Sequence, residues 1–208
     1  MSILKDLFSK KPDTIYRSIA NGNLEEIKNY LANTENISAD FETEGILQYA
    51  IDNCEENYVE VIKYLINNTD DLNNNLSSMH DTPLHRLCAR IIPHMDLITL
   101  LLERGADPNA RNISGKTPLF YCTFSFSKEL LMLLASYGAD VNAVDKHGNT
   151  FLHEDFMGLD SENFEKFLTA LLELGYKINA KNPAGYTPLG FCKNEKFAEI
   201  LKKHGAFR

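Results

Sequence analysis

One short phrase recurs along this chain: Thr82-Pro83-Leu84-His85, Thr117-Pro118-Leu119-Phe120, Thr150-Phe151-Leu152-His153 and Thr187-Pro188-Leu189-Gly190. Its opening residues lie 35, 33 and 37 positions apart. A second phrase keeps step with it: Gly105-Ala106-Asp107-Pro108-Asn109, Gly138-Ala139-Asp140-Val141-Asn142 and Gly175-Tyr176-Lys177-Ile178-Asn179. Two signals locked at one period mean stacked units that touch only their neighbours, not a single globular core. The period settles architecture and points to binding rather than to chemistry.

The segment beginning at Thr117 has the cleanest spacing. Thr117 suits a helix N-cap, where its hydroxyl accepts from an otherwise unpaired backbone N–H. Pro118 suits the first helical position, where its missing N–H costs nothing. The pattern predicts a short helix to about Thr123 and a second from about Lys128 to Tyr137, carrying the apolar run Leu130, Leu131, Met132, Leu133 and Leu134. Gly138 then supplies the left-handed residue that ends a helix. Asp140 to Asn149, with Asp145 and Gly148, has the composition of a tight extended hairpin. One unit is helix, turn, helix, hairpin, and alone it cannot bury its apolar faces.

These residues resemble the ankyrin repeat. The Thr-Pro-Leu-His opening, the Gly-Ala-Asp-x-Asn close and the 33-residue step all coincide with it, and the likeness covers nearly the entire chain. The resemblance implies an all-α solenoid of about six units, approximately 12–43, 44–78, 79–113, 114–146, 147–183 and 184–208, forming one domain over 1–208. The terminal units are degenerate, as expected where one face has no neighbour. Departures fall between the two helices of a unit, around Ile91-Ile92-Pro93 and Met157-Gly158-Leu159-Asp160. The family's usual Gly-His at that turn is replaced by Phe126-Ser127. The last unit is short, so its first helix must be curtailed.

The formal charge of −8 is unevenly placed. Residues 1–11 carry +2, residues 12–75 hold thirteen Asp/Glu against three Lys/Arg for −10, and residues 76–208 balance at zero. An acidic end repels phosphate backbones and can steer a basic protein. Nucleic-acid binding is disfavoured. No stretch has about 18 consecutive apolar residues, so no membrane span is expected. The first residues lack the long apolar run of a secretory signal, and with four cysteines the reading is a reduced, cytoplasmic protein.

Candidates for chemistry are weak. Cys88, Cys122 and Cys192 follow their opening Thr by six, five and five residues, where the resemblance places small buried side chains. Cys54 lies outside this register and is open to exposure. No Cys-x-x-Cys pair scaffolds zinc. His85 and His153 sit fourth in the opening phrase, where the family uses His in hydrogen bonds between units. His153-Glu154-Asp155 resembles an acid–base cluster, but a capped helical turn explains it better. No phosphate loop or nucleophile elbow is present. No enzyme, metal or cofactor is expected; a site near His153 is the rival reading.

Binding surfaces are better supported. The resemblance implies that partners meet the hairpin tips and the outward residues of the first helices. By register the tips include Met79 and Asp81, Ile113 and Lys116, Lys146 and His147, and Tyr186. Met79 and Tyr186 suit anchors, since large semi-polar side chains dominate interface energies. Phe124 and Phe126, with Ile91, Ile92, Met157 and Leu159, fall on one rim and either form an exposed apolar patch or pack on one another. The acidic surface comprises Glu25, Glu26, Glu42, Glu44, Glu55, Glu56, Glu60, Asp70 and Asp71. Ile3, Leu4, Leu7 and Phe8 interleave with lysines as a short amphipathic helix covering the first unit. The expected role is a monomeric module that binds another protein, with a basic one favoured. The alternative is an inhibitor or immunity-type protein sequestering a basic toxin or enzyme.

Overall fold

A computed structural model describes residues 13–32, 39–74, 78–154 and 161–208. They form consecutive antiparallel helix pairs: Asp13–Ala20 with Leu24–Ala32, Ala39–Asn53 with Tyr58–Asn67, Pro83–Cys88 with Met95–Glu103, Pro118–Phe124 with Lys128–Ser136, Phe151–His153 with Ser161–Glu173, and Pro188–Phe191 with Glu195–Lys203. Among the described residues there is no strand, only an isolated antiparallel bridge between Val144 and Thr150 in one hairpin. The stacked, all-helical architecture read from the period is therefore the one observed. The first helix of the last pair spans four residues, curtailed as its short spacing required.

The core is a line of interfaces between pairs. Its composition changes along the stack, from Ile46, Leu47, Ile51, Ile62 and Leu65 near the start to Phe151, Phe164, Phe167 and Phe197 near the end. Cys88 and Cys122 are fully buried in it, as small apolar side chains. Cys54, outside that register and open to exposure from sequence, is buried too; its thiol donates to the Glu56 carbonyl at 3.1 Å. Ile3, Leu4, Leu7, Phe8, Met157 and Leu159 lie outside the described residues.

Two polar devices tie units to their neighbours. The first belongs to the second recurring phrase. Asn109 accepts from the Asp140 N–H at 2.8 Å and donates to the Gly138 carbonyl at 2.8 Å. Asn73, Asn142 and Asn179 make the same pair of bonds to Asp107 and Gly105, Lys177 and Gly175, and Phe207 and Gly205. Each Asn thus satisfies backbone groups freed where the next unit's second helix ends. The second device is the fourth residue of the opening phrase. His85 Nδ1 accepts from the Thr82 N–H at 3.1 Å, and Nε2 meets the Lys116 carbonyl of the next hairpin at 3.0 Å. A carbonyl only accepts, so Nε2 carries the proton and the ring is neutral. His153 repeats the arrangement with Thr150 and the Tyr186 carbonyl.

Thr117 departs from its expected role. Its hydroxyl is buried without a hydrogen-bond partner, and the following helix, Pro118–Phe124, is 3-10 rather than α. The fourth residue here is Phe120, which offers no nitrogen to organise the cap and instead meets Phe151 edge-on at 6.4 Å.

Candidate functional site: the hairpin ridge

Successive hairpins sit side by side on one edge of the stack. Each is shaped by a side chain that closes its turn: Asn112 Oδ1 accepts from the N–H groups of Ser114 and Lys116, Asp145 Oδ1 from those of His147 and Asn149, and Asn182 Oδ1 from that of Tyr186. Neighbouring hairpins are then joined through backbone, the Ile113 N–H donating to the Met79 carbonyl at 3.0 Å and the Lys146 N–H to the Ser114 carbonyl at 2.9 Å. The approach is close enough to demand glycine. A Cβ on Gly115 would lie 2.6 Å from the Lys146 nitrogen, and one on Gly148 would strike the Pro183 ring. With all these bonds inside the ridge, side chains at the tips are left to solvent.

Met79, Ile113 and Tyr186 are 47%, 54% and 54% exposed. Lys146 and His147 are exposed as well. Lys116 is half-buried and pairs with Glu154 at 2.8 Å, linking one hairpin to the first helix of the next unit. Asp81 is the exception among the tips, being buried. Its carboxylate accepts from Asn112 Nδ2 at 2.8 Å and from the Tyr121 hydroxyl at 2.9 Å, so it braces two units rather than facing a partner. Burial, then the Asp81 charge, push the Tyr121 phenol well above its ordinary value, keeping it a donor at any physiological pH.

The rim between helices divides in the same way. Phe124 is half exposed, stacked on Tyr121, and Ile91 and Ile92 are almost fully exposed. Phe126 is buried, its ring 5.2 Å, 5.5 Å and 6.1 Å from those of Phe164, Phe167 and Phe197. Its φ is +44°, the left-handed conformation that the family's glycine would supply, and Asn57 takes the same region at +49° in the corresponding turn two units earlier. Of the two alternatives for this rim Phe126 takes the packed one and leaves the set of candidate partner-binding residues: this turn bends to place a core anchor.

Sequence reasoning missed the inter-unit bonding of the Asn residues, although the recurrence of Asn at the close of the second phrase was its signal. It also missed the network of Asp81, Asn112 and Tyr121. The rival reading at His153 finds little support in the geometry. The His153 ring is occupied by Thr150 and the Tyr186 carbonyl, Glu154 turns to Lys116, and Asp155 lies outside the described residues. Among the described residues no three His, Cys, Asp or Glu side chains group as a metal site, and no helix is long and apolar enough to cross a membrane.

The fold and ridge define a helical-hairpin repeat scaffold. Comparison with known proteins supplies the family. The ankyrin repeats profile matches three copies over residues 86–154. A crystal structure of an ankyrin repeat domain from Acinetobacter baumannii superposes with a TM-score of 0.72 at 25% identity, covering 93% of this chain and 98% of that one. Similar sequences include a human transient receptor potential cation channel of subfamily A, 39% identical over 40% of this chain and 7% of the channel. A putative ankyrin repeat protein of fowlpox virus is 27% identical over 71% of this chain and 45% of the viral protein. Another from Acanthamoeba polyphaga mimivirus is 36% identical over 53% of this chain and 20% of its own length. The chain spans less than half the length of each of these three relatives. Residues 86–154 thus carry ankyrin repeats, and the chain has the fold of an ankyrin repeat domain. Ankyrin repeats are generally protein–protein interaction modules and typically non-catalytic.

Proposed function

We propose that this chain binds a protein partner along its hairpin ridge and the adjoining outward face of the first helices, by rigid presentation. The observation that carries this reading is the coupling of the tips. Met79 and Ile113 stand half exposed on hairpins bonded to each other through backbone, and Tyr186 on one joined to its neighbour by Asn182 Nδ2 donating to Asn149 Oδ1 at 2.8 Å, with the Asn ladder holding the units beneath. Side chains held in place before contact lose little ordering entropy on association. Half-exposed Met, Ile and Tyr supply the apolar anchors that dominate interface energies. Affinity capture from the native organism, with the wild-type chain and the Met79→Ala/Ile113→Ala/Tyr186→Ala variant as baits, tests it. The partner should be retained by the first and lost by the second while melting is unchanged. Equal capture would move the interface elsewhere.

A second reading rests on the opposite end, where Glu25, Glu26, Glu55, Glu56, Glu60, Asp70 and Asp71 are all exposed. This surface favours a basic protein, as an inhibitor or immunity-type chain sequestering a toxin or enzyme would. Its affinity falls steeply with rising salt, because exposed charges are screened beyond about 10 Å at 0.1 M. Salt-independent binding removes it.

A further inference from the structure

We infer that the hairpin tips of the last three units take an acidic, extended segment of a partner protein, laid across the units in order. This rests on the reading of the ridge as the binding face and adds the chemistry that the ridge selects. Arg111, Lys146 and Lys181 are exposed on three successive hairpins, and neither Lys146 nor Lys181 is ion-paired among the described residues. Of the hairpins' own carboxylates Asp145 is buried, while Asp107 and Asp140 are exposed with one oxygen each held in a turn. Asp107 and Asp140 accept from the backbone N–H two residues on, and Asp145, which is buried, accepts from two more. Four exposed cations, Arg111, Lys146, Lys177 and Lys181, thus stand against two exposed carboxylates, although Arg111 Nη1 also donates to the Gly115 carbonyl at 2.9 Å and to the Val144 carbonyl.

Apolar surface runs through the same row, with Ile113, Val144 and Tyr186 each partly exposed beside these cations. At the far end of the stack the exposed charge reverses, at Glu25, Glu55, Glu60 and Asp71. The potential along the molecule therefore runs from negative on the first two units to positive on the last hairpins. An acidic strand is drawn to one region and repelled by the other, which fixes where along the stack it lies. The net charge of −8 disfavours a nucleic acid, a polyanion long enough to run past these hairpins onto the acidic units.

Spacing fits an extended chain. Packed helices stand about 8–10 Å apart, and an extended polyproline II chain advances about 3.1 Å per residue with three residues per turn, so one unit corresponds to one turn and every third side chain faces the ridge. A segment with Asp or Glu at every third place, and apolar residues between, meets Arg111, Lys146 and Lys181 in turn.

The test pans a random displayed-peptide library on the full chain. Synthetic copies of the enriched peptides are then measured by fluorescence anisotropy against the native protein and Lys146→Glu/Lys181→Glu. Both lysines are exposed and unpaired, so the melting temperature should not move. Enriched peptides should be acidic, and the double reversal should weaken them about tenfold, as the loss and inversion of two rim charges implies. Neutral or basic peptides, no enrichment, an unchanged affinity in the double variant, or tighter binding of a labelled single-stranded oligonucleotide would each overturn the inference. Neutral peptides that still lose affinity on Met79→Ala/Ile113→Ala/Tyr186→Ala would defeat the acidic specificity and leave the ridge as binding face. Peptides and captured partner both indifferent to that triple variant would remove the ridge itself.

Discussion

Units three and four open with the same three residues and differ at the fourth. His85 in the third joins its own cap to the next hairpin, with Nδ1 accepting from the Thr82 N–H and Nε2 donating to the Lys116 carbonyl. Phe120 in the fourth reaches neither group, and the consequences are local and legible: an orphaned Thr117 hydroxyl, a 3-10 helix, and an edge-on aromatic contact to Phe151 in place of a hydrogen bond. The fourth unit makes good the loss through Phe126, which forces a left-handed turn to bury its ring among Phe164, Phe167 and Phe197. Neighbouring units of one repeat array are thus held by different forces, polar and directional in one, apolar and steric in the other. Unit two offers a third solution: Gln48 occupies the fourth place, buried, with both amide atoms lacking a hydrogen-bond partner.

The sharpest way to break this comparison is at Phe126. Phe126→Ala empties an aromatic core site and should cost about 3–5 kcal/mol, whereas Phe124→Ala two residues earlier, on a half-exposed ring, should cost about 1 kcal/mol or less. Denaturant melts of both variants check it, and equal losses would erase the distinction between rim and core. Next in size is His85→Ala, which leaves the Thr82 N–H and the Lys116 carbonyl unpaired and should cost about 2–3 kcal/mol.

Acid probes the same ring more gently. Burial pushes the His85 imidazole below its ordinary value, outweighing the opposing pull of the Lys116 carbonyl and of the Asp81 and Asp107 charges. Above about pH 6.5 the ring is neutral both folded and unfolded and contributes no slope. Below it the unfolded chain takes a proton that the folded chain resists, so stability falls with falling pH. His85→Gln should flatten that segment of the stability–pH curve; an unaltered curve would mean the ring is not the group responsible. The smallest effect is the most discriminating. Thr82→Val should cost about 1 kcal/mol by removing a working cap. Thr117→Val should be neutral or stabilising by a few tenths, because it removes a buried hydroxyl that bonds nothing.

The architecture was readable because repetition multiplies weak signals: four copies of one phrase and three of another fix the period, the helix starts and the hairpins together. The structural roles of His85 and His153 came from the resemblance to the ankyrin repeat, which places a hydrogen-bonding His at that position. What the sequence did not disclose is what depends on the neighbouring unit. Asp81 shares its place with Lys116, Asn149 and Tyr186, so register alone sends it outward; it is buried because Tyr121 and Asn112 of the next unit close over it. Phe126 reads as a rim residue until the backbone reverses there and turns its ring inward. Of the expected tips, Met79, Ile113, Lys146 and His147 are exposed on hairpins that bond through backbone, a satisfaction that leaves side chains uncommitted; Tyr186 is exposed on a hairpin tied instead by Asn182 to Asn149, because Pro183 has no N–H to give.

The account turns on the ridge being ordered before any partner arrives, and amide hydrogen exchange of the free protein measures that directly. The N–H groups of Ile113 and Lys146, bonded to the Met79 and Ser114 carbonyls of the preceding hairpins, should exchange about as slowly as helix amides of the same units such as Leu101 and Leu134. Exchange of those two amides at the rate of an unstructured peptide would contradict rigid presentation.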